Sequence, residues 1–124
     1  MTVTAAQLAQ LPHDQRRAAL EGMSAADLAA LEWHWPFWAR PDQLPPKGEW
    51  RTFLLLGGRG SGKTRSSAEW VRAQMESGRR RQLGIIGPTA DAVRRIQVEG
   101  PSGILACCPN WNRPSYEPST RKII

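Results

Sequence analysis

Hydrophobic and polar residues follow several distinct patterns along this chain, and the first of these is helical. Residues 1–31 are rich in Ala and Leu, and Leu28 and Leu31 lie on one face of a helix that Ser24 is placed to cap. Asp27, three positions after Ser24, completes a pattern that resembles a capping box. The segment predicts a small helical arm ahead of the main fold, with packing or partner docking as its role.

Aromatic residues and prolines replace the helical pattern in residues 32–50. Because prolines break regular structure, we expect this segment to be irregular. Its aromatic side chains are expected to pack against a core, although their chemistry also suits stacking on a nucleotide base. The aromatic residues are Trp33, Trp35, Phe37, Trp38 and Trp50, and the prolines are Pro36, Pro41, Pro45 and Pro46.

From residue 52 onward, short apolar runs alternate with amphipathic stretches. Residues 52–56 and 83–86 are apolar runs, and each predicts a buried strand of a parallel sheet. Residues 64–77 and 90–98 predict the helices that follow these strands, and Gly78 is a natural stop for the first of them. The inward side chains are expected to be Ala68, Val71 and Met75 in the first helix, and Val93 and Ile96 in the second.

This order of elements predicts an α/β fold, with an incomplete parallel sheet and flanking helices behind the helical arm. Beyond Gly100 the prolines indicate an irregular segment, and residues 121–124 look like the beginning of a further strand. The predicted domain boundary lies between residues 1–31, the arm, and residues 32–124, the α/β part.

The turn between the first predicted strand and helix carries the most specific motif, Gly57-Gly58-Arg59-Gly60-Ser61-Gly62-Lys63-Thr64. It satisfies the pattern G-x-x-x-x-G-K-[ST], and it follows an apolar run and opens a helix, as a phosphate-binding loop should. We call residues 57–64 the glycine loop. The motif predicts a P-loop NTPase that binds ATP and Mg²⁺.

Each part of the glycine loop has a chemical role in that prediction. The glycines let backbone N–H groups approach the phosphates, and the helix that starts near Lys63 adds the positive end of its dipole. Lys63 is expected to reach the β- and γ-phosphates, and the Thr64 hydroxyl to bind Mg²⁺. Arg59 is expected to reach the γ-phosphate and stabilise charge during phosphoryl transfer. The other residues expected to bind the nucleotide are Gly57, Gly58, Gly60, Ser61, Gly62 and Arg65.

Composition adds a basic charge and argues against several other classes of protein. The net charge is +6, from 17 basic and 11 acidic residues, which favours a polyanionic partner such as a nucleotide or nucleic acid. Cys107 and Cys108 are sequence neighbours and suggest neither a disulfide framework nor a zinc site. Because no signal peptide is recognisable and no apolar run approaches the ~20 residues of a membrane span, we expect a cytoplasmic chain.

Several stretches of the chain resemble one protein family. They are residues 54–65 and 68–71 around the glycine loop, residues 38–43 before it, and residues 87–90, 98–103 and 114–119 after it. Together they resemble the large terminase subunit of tailed bacteriophages, especially the form found in prophages and gene transfer agents. The resemblance covers about residues 32–124, which would be the N-terminal part of the family's ATPase domain.

The resemblance implies an ATP-driven motor that moves double-stranded viral DNA through a portal protein into the procapsid. Its implied partners are the portal protein and a small terminase subunit, its assembly is a homo-oligomeric ring, and its location is the bacterial host cytoplasm. Arg59 matches the arginine of the family's Walker A loop, and Gln43 matches an upstream glutamine that recognises adenine. Lys63 and Arg59 are the residues with implied catalytic roles.

The chain departs from the terminase pattern after the second predicted helix. A motor ATPase needs a Walker B segment, which is an apolar strand ending in Asp and Glu. None of the acidic residues after the loop follows such a strand: Glu69, Glu76, Asp91, Glu99 and Glu117. A nuclease domain is also missing, so we expect a fragment that binds ATP but lacks the acids for efficient hydrolysis. The alternatives are another P-loop enzyme, such as a DNA translocase or small-molecule kinase, and a nonfunctional prophage remnant.

Overall fold

Helices account for most of the regular structure in the computed structural model, which describes residues 3–124. The contacts divide the chain into two units, Met1–Arg51 and Thr52–Ile124. None of the helices in residues 3–124 has both the length and the apolar character that a membrane crossing requires.

The first unit is built from short helices. They are α1 (Ala5–Gln10), α2 (His13–Glu21), α3 (Ala25–Glu32), α4 (Trp35–Trp38) and a 3₁₀ turn (Pro41–Gln43). The predicted cap is present at α3, where the Ser24 hydroxyl accepts the Asp27 N–H at 3.1 Å. The same hydroxyl donates to the Asp27 carboxylate at 2.6 Å, so the acid binds the capping side chain.

Aromatic side chains of the first unit pack within their own segment. The buried ring of Phe37 meets the ring of Trp38 edge to face, with centroids 4.9 Å apart. The Trp38 indole N–H donates to the Leu31 carbonyl at 2.9 Å, and the Trp50 indole N–H donates to the Pro46 carbonyl at 3.1 Å. These contacts give the aromatic residues a packing role in this segment.

The second unit is dominated by one long helix, α5 (Lys63–Glu76). It is followed by α6 (Ala90–Ala92), a π-helical turn (Val93–Val98), α7 (Ile104–Cys107) and a 3₁₀ turn (Asn110–Asn112). Two short strands, β1 (Tyr116–Glu117) and β2 (Lys122–Ile123), form an antiparallel pair that places Tyr116 opposite Ile123. The predicted helix over residues 64–77 is therefore confirmed, and Gly78 ends it with a left-handed φ of +66°.

The core of the second unit lies where α5 packs on α7. Its buried residues are Ala68, Ile104, Cys107 and Cys108, with Val71, Ile85 and Ile123 packed around them. Ala68 and Val71 thus face inward as predicted, whereas Met75 is 41% exposed, because the core ends one turn before it.

The predicted α/β fold with a parallel sheet is wrong. The only sheet in the described residues is the antiparallel pair β1–β2, and neither residues 52–56 nor residues 83–86 form a strand. Leu54, Leu56 and Ile86 are 72%, 80% and 91% exposed, so these runs are not buried throughout, although Ile85 packs against the core. The physical reason is that a strand is stabilised by hydrogen bonds to a neighbouring strand. An apolar run predicts the side chains of a strand but not the presence of that neighbour.

The second predicted helix has a different geometry from the one expected. Residues 90–98 begin as α6 and continue as a π-helix, in which the Glu99 N–H donates to the Arg94 carbonyl at 2.8 Å. Hydrogen bonds of this i→i+5 type place residues at a wider spacing than α-helical periodicity assumes. Val98 is therefore buried while Ile96 is mostly exposed, so the prediction that Ile96 faces inward is wrong.

Replacement of Ile104 by alanine tests the position of this core. Ile104 is 2% exposed, so Ile104→Ala should reduce the free energy of unfolding by about 2–5 kcal/mol through lost burial and a residual cavity. The matched control is Ile86→Ala, which should change it by less than about 0.5 kcal/mol because Ile86 is exposed. Urea denaturation measures both values, and equal effects of the two substitutions would contradict this assignment of the core.

Candidate phosphate-binding site

The glycine loop leads directly into α5, and its last glycine begins the helix. Gly62 has a φ of +89°, a left-handed conformation in which a side chain would be strained. Its carbonyl accepts the Ser66 N–H at 2.9 Å and the Ser66 hydroxyl at 3.0 Å. No side-chain hydrogen bond caps α5, so an anion at its N-terminus would meet the positive end of the helix dipole.

The ammonium group of Lys63 folds back over the glycine loop and contacts three of its oxygen atoms. Nζ donates to the carbonyls of Gly57 and Gly58 at 2.5 and 2.7 Å, and to the Ser61 hydroxyl at 3.2 Å. A Cβ at Gly57 would lie 2.6 Å from the Ser61 hydroxyl oxygen, so a larger residue there would have to displace the Ser61 side chain. The loop thus holds the Lys63 ammonium among neutral oxygen acceptors. An anionic oxygen would bind this ammonium more strongly than they do.

Lys63 and Arg59 have no acidic partner among residues 3–124, so their positive charges are not neutralised at this end of α5. The first turn of the helix contains no acidic residue, and Arg59 is exposed and forms no ion pair in residues 3–124. Thr64, the expected ligand of Mg²⁺, lies half-buried in the first turn beside Lys63. The structure therefore brings Lys63, Thr64 and the loop glycines together at one helix end, with Arg59 at the exposed tip of the loop.

Arg65, which we expected to bind the nucleotide, has a different environment from the residues of the glycine loop. Its guanidinium pairs with the carboxylate of Glu69 one turn further along α5, with an NH2–Oε1 distance of 2.7 Å. Glu69 is buried, and its other carboxylate oxygen lies 3.3 Å from NH1 of Arg72. Arg72 in turn donates from NH1 to the Cys107 carbonyl at 2.7 Å. The ion pair of Arg65 with Glu69 thus belongs to a charge network that joins α5 to α7.

Gln43 lies in the first unit, whereas the glycine loop lies in the second. Its side chain is buried, and its amide oxygen accepts the Arg40 N–H at 3.0 Å, which closes the 3₁₀ turn Pro41–Gln43. This contact explains locally why a glutamine stands at the end of the turn. Its role in adenine recognition stays a prediction.

Metal-binding side chains do not cluster in the part of the chain that the structure describes, where no group of three or more His, Cys, Asp or Glu residues is placed to hold an ion. Cys107 and Cys108 are buried and form no disulfide. Burial is the main cause that raises the pKa of the Cys107 thiol to about 12, with the nearby Glu69 charge acting in the same direction. This thiol is therefore protonated at neutral pH and is not a nucleophile.

The charge network of Glu69 and Arg72 was not anticipated from the sequence. The signal for it is nevertheless local, because Arg65, Glu69, Arg72 and Glu76 follow one another at intervals of three or four residues. That spacing places all four side chains on one helical face. What the spacing does not show is that this face is buried against α7 and not solvated.

Comparison with known proteins gave no match: no family profile, no curated protein and no solved structure is significantly similar to this chain.

Substitution of Glu69 tests the importance of the buried network. Glu69→Gln should lower the free energy of unfolding by about 3 kcal/mol, because it leaves two partly buried guanidinium groups without their shared carboxylate. Glu21→Gln is the matched control, since Glu21 pairs with Arg17 at the same i,i+4 spacing in an exposed position, and it should cost less than about 1 kcal/mol. If urea denaturation gives the same small change in the free energy of unfolding for both variants, the buried network does not stabilise this unit as we expect.

Proposed function

We propose that residues 57–64 bind the triphosphate of ATP together with Mg²⁺. The observation that carries this proposal is the position of the Lys63 ammonium, which is held over the glycine loop by Gly57, Gly58 and Ser61 at the uncapped N-terminus of a 14-residue helix. Phosphate oxygens can replace the neutral carbonyls as hydrogen-bond acceptors of this ammonium. Little reorganisation is needed, because the positive charge already lies at the loop.

The residues of the site fit the parts of a nucleoside triphosphate. Lys63 and the positive N-terminal end of α5 would hold phosphate oxygens. The Thr64 hydroxyl would hold Mg²⁺, which supplies charge neutralisation to the phosphates when bound. Arg59, at the tip of the loop, would approach the terminal phosphate. These roles need no rearrangement of α5.

On the wider biological role, we propose the ATP-binding portion of a phage DNA-packaging motor of the terminase large-subunit type. The support is the resemblance to that family noted in the sequence for residues 38–43, 54–65, 68–71, 87–90, 98–103 and 114–119, together with the Arg59-containing loop. Viral double-stranded DNA, the portal protein, a small terminase subunit and other copies of the motor are the partners that this role requires. The net charge of +6 is compatible with a DNA partner.

Loss of the Lys63 ammonium should abolish most of the nucleotide affinity. In isothermal titration with ATP and Mg²⁺, Lys63→Ala should bind roughly 10–100-fold more weakly, because one charge-assisted contact to phosphate is removed. Lys122→Ala is the matched control, since Lys122 is an exposed lysine on β2 outside the loop, and its affinity should equal that of the unaltered chain. Equal affinity of the Lys63 variant and this control would overturn the proposed site.

Replacement of Arg59 should distinguish the terminal phosphate from the others. Arg59→Ala should weaken ATP binding by about tenfold and change ADP binding by less than about twofold, because only ATP carries the phosphate that Arg59 would contact. Arg81→Ala, at another exposed arginine away from the loop, is the control and should change neither affinity. Equal losses for ATP and ADP in the Arg59 variant would show that Arg59 does not contact the γ-phosphate.

A further inference from the structure

A cavity in the Thr52–Ile124 unit lies away from the glycine loop. It has a volume of about 500 Å³ and lies beside the C-terminal half of α5, α7 and the segment that follows α7. No residue of the glycine loop lines it. The volume is within the range of small-molecule sites in proteins.

One wall of this cavity is made of side chains that are held rigidly. The Arg72 guanidinium donates to the Glu76 carboxylate at 2.9 Å and to the Cys107 carbonyl at 2.7 Å, and it also contacts Glu69. The Asn112 amide donates to the same oxygen of Glu76 at 3.3 Å. Because Glu69 and Glu76 compensate the charge of Arg72, this wall is polar and ordered but adds no free positive charge.

Arg113 supplies the uncompensated charge of the cavity. It lines the cavity, is exposed, and forms no ion pair in the residues that the structure describes. It is close enough to the cavity floor to affect Cys108: burial raises the pKa of that thiol, and the Arg113 charge opposes the rise. Among the described residues that line the cavity, Arg113 is the one cation without an ion pair, so a ligand with one negative charge would be favoured over a triphosphate, which would also meet the Glu76 carboxylate.

The remaining surface of the cavity is apolar. Ile104 and Cys108 form buried parts of the lining, and Met75 and Pro114 border them. Trp111 also lines the cavity and is 69% exposed, so its indole ring lies at the opening. Rings of this kind stack on planar groups, and an adjacent guanidinium fixes the position of a carboxylate.

We infer that this cavity binds a planar apolar group that carries one carboxylate, with Trp111 against the ring and Arg113 against the carboxylate. Such a ligand exists in two forms that share this chemistry: a free aromatic acid, and the C-terminal carboxylate of a peptide that ends in an aromatic residue. This inference does not depend on the function of the glycine loop, because the two sites share no lining residue.

Titration with matched probes, followed by two-dimensional amide NMR, tests the inference. 2-Naphthoate should shift the signals of residues 104–114 with a Kd on the order of 1 mM, as expected for a probe of this size. 2-Naphthamide has the same ring without the charge and should bind about tenfold more weakly. Equal binding of the acid and the amide, or shifts centred on residues 57–64, would overturn the inference.

Two variants separate the roles of charge and ring. Arg113→Gln should weaken 2-naphthoate about tenfold and leave 2-naphthamide unchanged, whereas Trp111→Ala should weaken both probes. Arg80→Gln removes an exposed arginine that does not line the cavity and should change neither affinity. Unaltered binding of 2-naphthoate by Arg113→Gln would refute the assignment of the carboxylate site. The side chains of Arg113 and Trp111 are both exposed, so circular dichroism of these two variants should show an unchanged fold.

A third experiment tells whether the natural ligand is a free aromatic acid or the C-terminus of a peptide. Acetyl-Gly-Gly-Phe with a free C-terminal carboxylate is compared with the same peptide as its C-terminal amide. Binding of the acid alone, lost in Arg113→Gln, supports the inference and points to a chain terminus as the natural ligand. Binding of 2-naphthoate without binding of the peptide supports it with a free aromatic acid as the ligand. Failure of both carboxylates to bind overturns it.

Discussion

Glu69 is the buried charge on which the organisation of the Thr52–Ile124 unit depends. A carboxylate that is removed from water destabilises a protein unless opposite charges and hydrogen bonds surround it. Arg65 and Arg72 provide these, one from each side along α5. Arg72 then extends the network to α7 through the Cys107 carbonyl, so compensation of one buried charge also orients the two helices that form the core.

Helix α5 connects the two candidate sites because both are built on it. Lys63 and Thr64 stand at its N-terminus, whereas Arg72, Met75 and Glu76 stand in its C-terminal half. The 14 residues of α5 rise 1.5 Å each, so the helix is about 21 Å long. It therefore keeps the two sites apart and holds the residues of both in position. Their electrostatics differ in a simple way. Within residues 3–124, Lys63 and Arg59 of the loop form no ion pair and suit a polyanion, whereas at the cavity this is true of Arg113 alone.

Local features of the candidate site could be predicted from the sequence with good detail. The glycine pattern, the helix that begins at Lys63 and the stop at Gly78 all depend on backbone preferences within a few residues. The Ser24 cap of α3 is of the same kind. The contacts of the Lys63 ammonium with the carbonyls of Gly57 and Gly58 were not predicted, because a flexible lysine side chain can reach many positions from the same backbone.

The sequence by itself therefore determined the features that depend on neighbouring residues: the glycine loop, the helix behind it, and the arginines and acids spaced along one helical face. Only the tertiary structure decided which faces are buried and which strands exist. Leu54, Leu56 and Ile86 have the apolar side chains of strands, yet they lie exposed, since strand pairing needs a partner that periodicity cannot reveal. Likewise, α7 packed against α5 to create the core and the cavity. These outcomes depend on contacts between distant residues, whose free energy is not encoded in any short stretch of sequence.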